Sequence, residues 1–263
     1  MKTSRLSSRR PLSMALLAGI ALVGCGVDRE AENQEIISNL IESGYPADDI
    51  MIHEGAVYVG RDAHVTLEAS REMLQTSGSQ EQYRTNNLVG FHVSKICINP
   101  TAAFNSYPKF IYGLDLAIQN YNEHGRRIYF VRGPTTGCTA NITAEVRSGD
   151  GGDAGYPSGG YPYGIFFIGT LMNDNYYPVD TVEHVITHEL GHTIGFRHSD
   201  CYNRSISCTG AAINEGDEGV GSVLIPGTPA VATWGGSLMN SCYRQVETGE
   251  FTSTDLTALY YLY

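Results

Sequence analysis

His188-Glu189-Leu190-Gly191-His192, continued by Thr193-Ile194-Gly195-Phe196-Arg197-His198, is the stretch of this 263-residue chain best suited to chemistry. On an α-helix, His188 and His192 stand one turn apart and about 40° apart in projection, so two imidazoles can share one metal ion. Glu189 lies about 100° from His188 and about 60° from His192, near enough to hydrogen-bond a water on that ion. Gly195 is suited to ending the helix in a left-handed conformation, after which the reversed chain can return His198 to the same ion. Three neutral nitrogens on Zn2+ leave a fourth position for water, which is the arrangement of a catalytic zinc site rather than a structural one. The ion lowers the pKa of that water toward about 7 and polarises a carbonyl, while Glu189 takes the proton and passes it to a leaving amine. His-Glu-x-x-His arises by chance in roughly one chain in a hundred of this length, and the added glycine and third histidine lower that to about one in 10⁵. Three unrelated histidines are therefore the weaker reading.

The elements that must position these groups are legible around them. Val182, Val185, Ile186, Leu190 and Ile194 cover the arc of the helix turned away from the histidines, so it can pack on a sheet and still face a cleft. Asp180 is the expected N-cap, with Glu183 at the reciprocal capping-box position. Upstream, residues 88–98, 128–131, 141–146 and 164–171 read as strands and 110–123 as a helix. That order predicts an α+β domain, a mixed twisted sheet with a backing helix and the active-site helix. There is no internal repeat or coiled-coil heptad.

The stretch from His188 to His198 resembles the long motif of the metzincin metallopeptidases, His-Glu-x-x-His-x-x-Gly-x-x-His. Ser237-Leu238-Met239-Asn240 is similar to the metzincin methionine turn, which implies that Met239 supports the histidines from below without ligating. Within the metzincins the chain looks most like the bacterial dual-action HEIGH metallopeptidases. That likeness is carried by Arg197-His198-Ser199-Asp200, Asn203-Arg204-Ser205 with Cys208, Ile225-Pro226-Gly227-Thr228-Pro229 and the close from Phe251-Thr252 to Tyr263. The resemblance covers about 170 residues. It implies an irregular lower subdomain with a C-terminal helix, and endopeptidase action on protein or peptide substrates laid along residues 164–171 as an edge strand. Where astacin-like relatives place a tyrosine two residues after the turn methionine, this chain has Ser241; Tyr243 comes four after and is expected to pack in the lower half.

The first 24 residues read as an export address. Lys2, Arg5, Arg9 and Arg10 precede an apolar run from Met14 to Gly24, too short to span a bilayer but suited to a signal peptide. Leu22-Val23-Gly24-Cys25 resembles a bacterial lipobox, which implies lipidation at Cys25, a membrane held only through that lipid anchor, and residence in the cell envelope as an outer-membrane lipoprotein, with release after processing as a further course. Residues 25–87 read as a polar tether over 28–35, a helix over 33–43, a hairpin over 50–59, a second helix over 64–75 and a linker over 76–87. The peptidase domain then occupies 88–263. Metzincins are commonly made latent by a segment whose Cys or Asp displaces the zinc-bound water, so the resemblance implies a secreted zymogen, with Asp48, Asp49 and Asp62 as the alternatives here.

Four of the 17 basic residues fall in the first ten positions, which leaves 13 basic against 28 acidic from Cys25 onward, a balance of −15. That balance argues against nucleic-acid binding, which needs cations to replace phosphate counterions. An exported chain permits disulfides. Cys97 and Cys138 sit at the ends of candidate neighbouring strands and form the favoured pair; Cys201, Cys208 and Cys242 compete for a second bridge. The acidic turns Asp150-Gly151-Gly152-Asp153 and Glu215-Gly216-Asp217-Glu218 are possible Ca2+ sites, with solvated turns as the simpler reading. A binding or adhesion module with a structural or vestigial zinc is the contrasting function, and the intact Glu189 speaks for the enzyme.

Overall fold

The computed structural model describes residues 25–42, 45, 47–60, 62–74, 83–134, 136–216, 222–229 and 231–263. The export address over residues 1–24 lies outside them. Helix α1 (Cys25–Glu42) leads into strands β1 (Ile50–His53), β2 (Ala56–Val59) and β3 (Ala63–Val65) and helix α2 (Leu67–Met73). Strand β4 (Tyr83–Arg84) precedes β5 (Lys95–Pro100), α3 (Ala102–Asn105), α4 (Pro108–Asn122), β6 (Tyr129–Arg132), β7 (Ala140–Arg147), β8 (Gly152–Gly155) and β9 (Ile165–Gly169). Helix α5 (Val179–Ile194), strand β10 (Val223–Leu224) and helix α6 (Ser253–Leu262) complete the α+β fold. Among the described residues no helix is long and apolar enough to cross a membrane.

One mixed sheet runs β1-β2-β3-β8-β9-β7-β5-β6. Strands β5, β6, β7 and β9 pair parallel, β8 pairs antiparallel with β9, and β3 lies parallel to β8. The strand expected at the edge, β9, is therefore interior. The strand beyond it, β8, begins in the glycine-rich turn proposed for calcium, where a low β-propensity gives no sequence signal. Its outer side is covered by the N-terminal segment.

Helices α4 and α5 pack on the sheet around Phe104, Phe110, Leu114, Phe130, Phe166, Ile186 and Leu190, all buried. They approach closely at Gly113, where a Cβ would lie 3.0 Å from Val182 Cγ1. A smaller core joins Ile36, Leu40, Val57, Val59, Val65 and Ala69 to Tyr156 of the catalytic half. Burial of Ile36 and Leu40 draws the polar stretch before them into α1, so residues 28–35 are helical rather than a tether. Helix α2 is shorter than its periodicity suggests: Thr66 caps it by accepting from Ala69 N–H at 3.1 Å, which leaves His64 in β3. The end of the expected linker is built into the catalytic half, because Thr85 N–H donates to Gly195 O and Arg197 N–H donates to Tyr83 O, each at 2.9 Å.

Helix α5 begins at Val179 after Pro178, without a side-chain cap. Asp180 instead places its charge in the first turn, where the helix dipole favours it. Glu183 turns inward to accept from Asn120 Nδ2 at 2.9 Å. Gly195 ends the helix at φ 108°, as a left-handed C-terminal residue. Disulfides join Cys97 to Cys138 and Cys208 to Cys242, while Cys201 is a buried free thiol.

Candidate metal centre and cleft

Because α5 turns His188 and His192 to one face and the Gly195 reversal brings His198 back, three imidazoles meet in the interior. Their ring centroids lie 4.6 to 5.2 Å apart. The segment before α2 adds Asp62, and one donor atom from each of the four residues lies within 4.8 Å of the others. It is the one such group of three or more among the described residues.

The outer nitrogen of each ring is already engaged. His188 Nδ1 donates to Leu238 O and His192 Nδ1 to Phe196 O, both at 2.9 Å. A carbonyl can only accept, so in the neutral rings the lone pairs sit on Nε2. His198 Nδ1 faces Glu215 Oε1 at 2.9 Å. His192 Nε2 and His198 Nε2 stand 3.2 Å apart. Asp62 Oδ1, buried and without a hydrogen-bond partner, lies 3.3 Å from His198 Nε2 and 3.9 Å from His192 Nε2. Lone pairs crowded against a carboxylate call for a positive charge between them, so the donor set fits a divalent ion of the zinc type.

Burial and mutual proximity shift the titratable groups of the cluster in opposite directions. Burial and the neighbouring imidazoles push His188 down to about 4 and His192 well below the ordinary histidine value. Burial acts the same way on His198, yet Asp62 and Glu215 outweigh it and raise that ring to about 10. Glu189 is buried, with Oε2 unpartnered, and burial followed by Asp62 and Asp153 raises its carboxyl well above the usual range.

Met239 lies buried beneath the histidines, and a Cβ on Gly191 would fall 2.6 Å from its sulfur. Asp255, in the first turn of α6, fixes this turn by accepting from Ser237 Oγ at 2.5 Å and Leu238 N–H at 2.9 Å. The same turn presents the Leu238 carbonyl to His188. On the opposite side Gly152 of β8 permits close approach of the glutamate, since a Cβ there would sit 2.6 Å from Glu189 Cγ.

A cleft of about 200 Å³ opens beside Glu189 and His188, walled by Asp62, His184, Arg204, Ser241 and Tyr243. Tyr243 is half-buried, its hydroxyl directed to Met172 Sδ at 3.5 Å. Of the three candidate aspartates only Asp62 reaches the histidines; Asp48 is exposed, and buried Asp49 accepts from Gly60 N–H at 3.0 Å. Among the described residues the acidic turns gather no oxygen cluster. Asp153 pairs with Arg147 at 2.5 Å, and Glu215 serves His198, Arg197 and Arg204. Asp217 and Glu218 lie outside the described residues. Sequence reading missed Glu215 as a partner of His198; its one signal was the acidic turn Glu215-Gly216-Asp217-Glu218, whose composition points to calcium or solvent instead.

The family model of the dual-action HEIGH metallo-peptidases matches residues 57–263, a span that includes Asp62 as well as the three histidines. Among solved structures, the chain is similar to high choriolytic enzyme 1, a hatching-enzyme zinc-protease from Oryzias latipes (Medaka fish). The identity is 17%, covering 67% of this chain and 92% of that one, with a TM-score of 0.41. Two structures of myroilysin are also similar. One is 18% identical over 40% of this chain and 49% of that one with a TM-score of 0.29, the other 15% over 46% and 60% with a TM-score of 0.27. No curated protein matches the chain.

Proposed function

The chain belongs to the dual-action HEIGH metallopeptidase family and is a zinc metallopeptidase, and from that premise we propose an exported endopeptidase held latent by its own N-terminal segment. In this reading His188, His192 and His198 hold the zinc, Glu189 is the general base and Met239 supports the site without ligating. The observation that carries it is the convergence of three Nε2 atoms beside a buried Glu189 at the head of a cleft.

Bound there, zinc supplies Lewis acidity, polarising the scissile carbonyl and making a water acidic enough to lose a proton near neutral pH. Glu189 accepts that proton as the water oxygen bonds to the carbonyl carbon, then delivers it to the amide nitrogen as the carbon–nitrogen bond breaks. Its burial suits the task, because a carboxylate with raised proton affinity is the better base. The carbonyls of Leu238 and Phe196, with Glu215, hold the three rings in the tautomer that faces inward.

Latency follows from position. Asp62 stands against the ring nitrogens where an attacking water must enter, and β3 covers the outer side of β8, where an extended peptide would add as a strand. A cut within residues 76–82 would separate the segment from a catalytic unit that begins with Tyr83, not Leu88. Residues 1–24 support export, and the lipobox at Cys25 supports a lipid anchor in the bacterial cell envelope, with protein segments as substrates.

The test compares casein cleavage by the wild-type chain cut in residues 76–82 with the same preparation of Glu189→Gln, zinc being measured in both. Retained zinc with a loss of about 10²-fold or more is expected for the variant. Equal cleavage by the two, or no zinc in either, would overturn the assignment and favour an adhesion module.

A further inference from the structure

We propose that Arg204 is a specificity-determining residue that directs this peptidase to acidic protein segments once the N-terminal segment has left. The inference rests on the endopeptidase reading above and adds a substrate class to it.

Arg204 lies in the wall of the cleft together with Asp62, His188 and Glu189. Its Nη1 donates to the carbonyl of Gly60 and to Glu215 Oε1 at 2.9 Å. The N-terminal segment thus lays its backbone directly on the guanidinium. Gly60 is suited to this approach: its φ is +60°, and a Cβ would meet Glu215 Oε1 at 3.1 Å and His198 Cε1 at 3.2 Å. The segment also brings two carboxylates, Asp49 and Asp62, into electrostatic reach of Arg204, in addition to Glu215 and Asp200 of the catalytic half. The N-terminal segment thus meets Arg204 with a backbone carbonyl and sets one carboxylate, that of Asp62, into the cleft wall beside it.

Two resident carboxylates act on Arg204, and neither is dedicated to it: Glu215 also takes Arg197 Nη2 at 3.3 Å and His198 Nδ1 at 2.9 Å, and Asp200 accepts from Ser207 Oγ at 2.6 Å and Ser241 N–H at 2.9 Å. Departure of the segment removes the Gly60 acceptor and both aspartates at once. It leaves a guanidinium in the cleft wall beside the metal centre, with donors facing an incoming peptide. A substrate carboxylate restores both the acceptor and the charge, and such charge-assisted hydrogen bonds are roughly twice as strong as those to neutral oxygens. A neutral amide of the same shape restores only the acceptor, and a site built around a polar group rejects the analogue that lacks it.

The experiment uses the full chain cut within residues 76–82 and a set of peptides that differ only in carrying Glu, Gln, Asp or Asn at each position flanking the scissile bond. At one position the acid should be preferred to its amide by about tenfold or more in kcat/KM, and the preference should shrink as salt rises. Arg204→Gln should bring the acid-to-amide ratio near one, and Arg204→Lys should keep part of it. Binding of the same peptides to the cut Glu189→Gln chain should follow the same order, which separates recognition from chemistry. Cleavage by the wild type without an acid preference, or an Arg204→Gln variant that slows acid and amide alike, would overturn this inference alone. Failure to cleave any peptide would overturn the endopeptidase reading and this inference with it.

Discussion

Asp62 Oδ1 lies 3.3 Å from His198 Nε2, so a residue of the N-terminal segment and the last histidine of the motif face each other across the metal centre. Burial favours the neutral acid, but His198 and the two other imidazoles outweigh it and hold the Asp62 carboxyl well below the usual carboxylate range. The aspartate is therefore a carboxylate set directly against the inward ring nitrogens of His198 and His192.

Replacing that carboxylate should release the enzyme without a cut. The uncut Asp62→Ala chain should hydrolyse casein at a rate approaching that of the cut wild type, while uncut wild type and uncut Asp48→Ala stay low. A fluorescent casein assay on the three proteins decides it. Full activity in the uncut wild type would sink the latency reading.

Gly191 is required by packing, since its Cβ position lies 2.6 Å from Met239 Sδ in a filled core. Gly191→Ala gains helix propensity but overpacks, and a net loss of about 1–2 kcal/mol is expected. For a domain of this size that corresponds to a fall of roughly 2–8 °C in Tm. Adding Met239→Ala should cost less in the Gly191→Ala background than alone, a coupling that calorimetry of the four proteins would reveal.

Glu215 balances two buried guanidiniums and orients His198. Glu215→Gln leaves Arg197 and Arg204 short of a counter-charge, an expected loss of about 3–5 kcal/mol. Removal of such an outer partner also weakens metal binding by about 10- to 100-fold. Competition with a chelator should show weaker zinc retention, and Glu215→Asp, which keeps the charge, should fall between. Unchanged zinc affinity in Glu215→Gln would remove the orienting role.

Glu183 contributes a pH dependence of definite sign. Burial raises its carboxyl from 4.5 to about 7, with Asn120 opposing and Glu250, Asp180 and Glu123 adding to the rise. The folded chain then holds a proton that the unfolded chain has released, so this contribution is full below about pH 4.5 and fades toward pH 7. Its slope is at most about 1.4 kcal/mol per pH unit. Glu183→Gln should flatten the stability curve between those limits in urea titrations, and an unaltered curve would refute the assignment.

Much of the site was legible because its grammar is local. The histidine spacing depends only on helical period, and the left-handed turn at Gly195 needs only a residue without Cβ. The Cys97–Cys138 pair follows from neighbouring strands, since β5 and β7 pair in register at Cys97 and Asn141. The errors fell where distant contacts override local pattern. Strand β8, Gly152-Asp153-Ala154-Gly155, is formed from residues of low β-propensity because β9 and β3 supply its partners. The active-site helix begins at Val179, directly after Pro178, and Glu183 turns inward because Asn120 offers it a hydrogen bond from another helix.

From the sequence alone came three histidines on a helix and its reversal, a glutamate beside them, a methionine turn by resemblance, and an acidic chain after a basic first ten residues. Only the tertiary structure chose Asp62 over Asp48 and Asp49, joined Glu215 to His198, and set Gly60 on Arg204. Those choices depend on the packing of α1, β2 and β3 against β8 and Tyr156, which brings together segments far apart in the chain. Helical period and turn chemistry operate over a few residues; the position of a carboxylate in a shared core depends on everything packed around it.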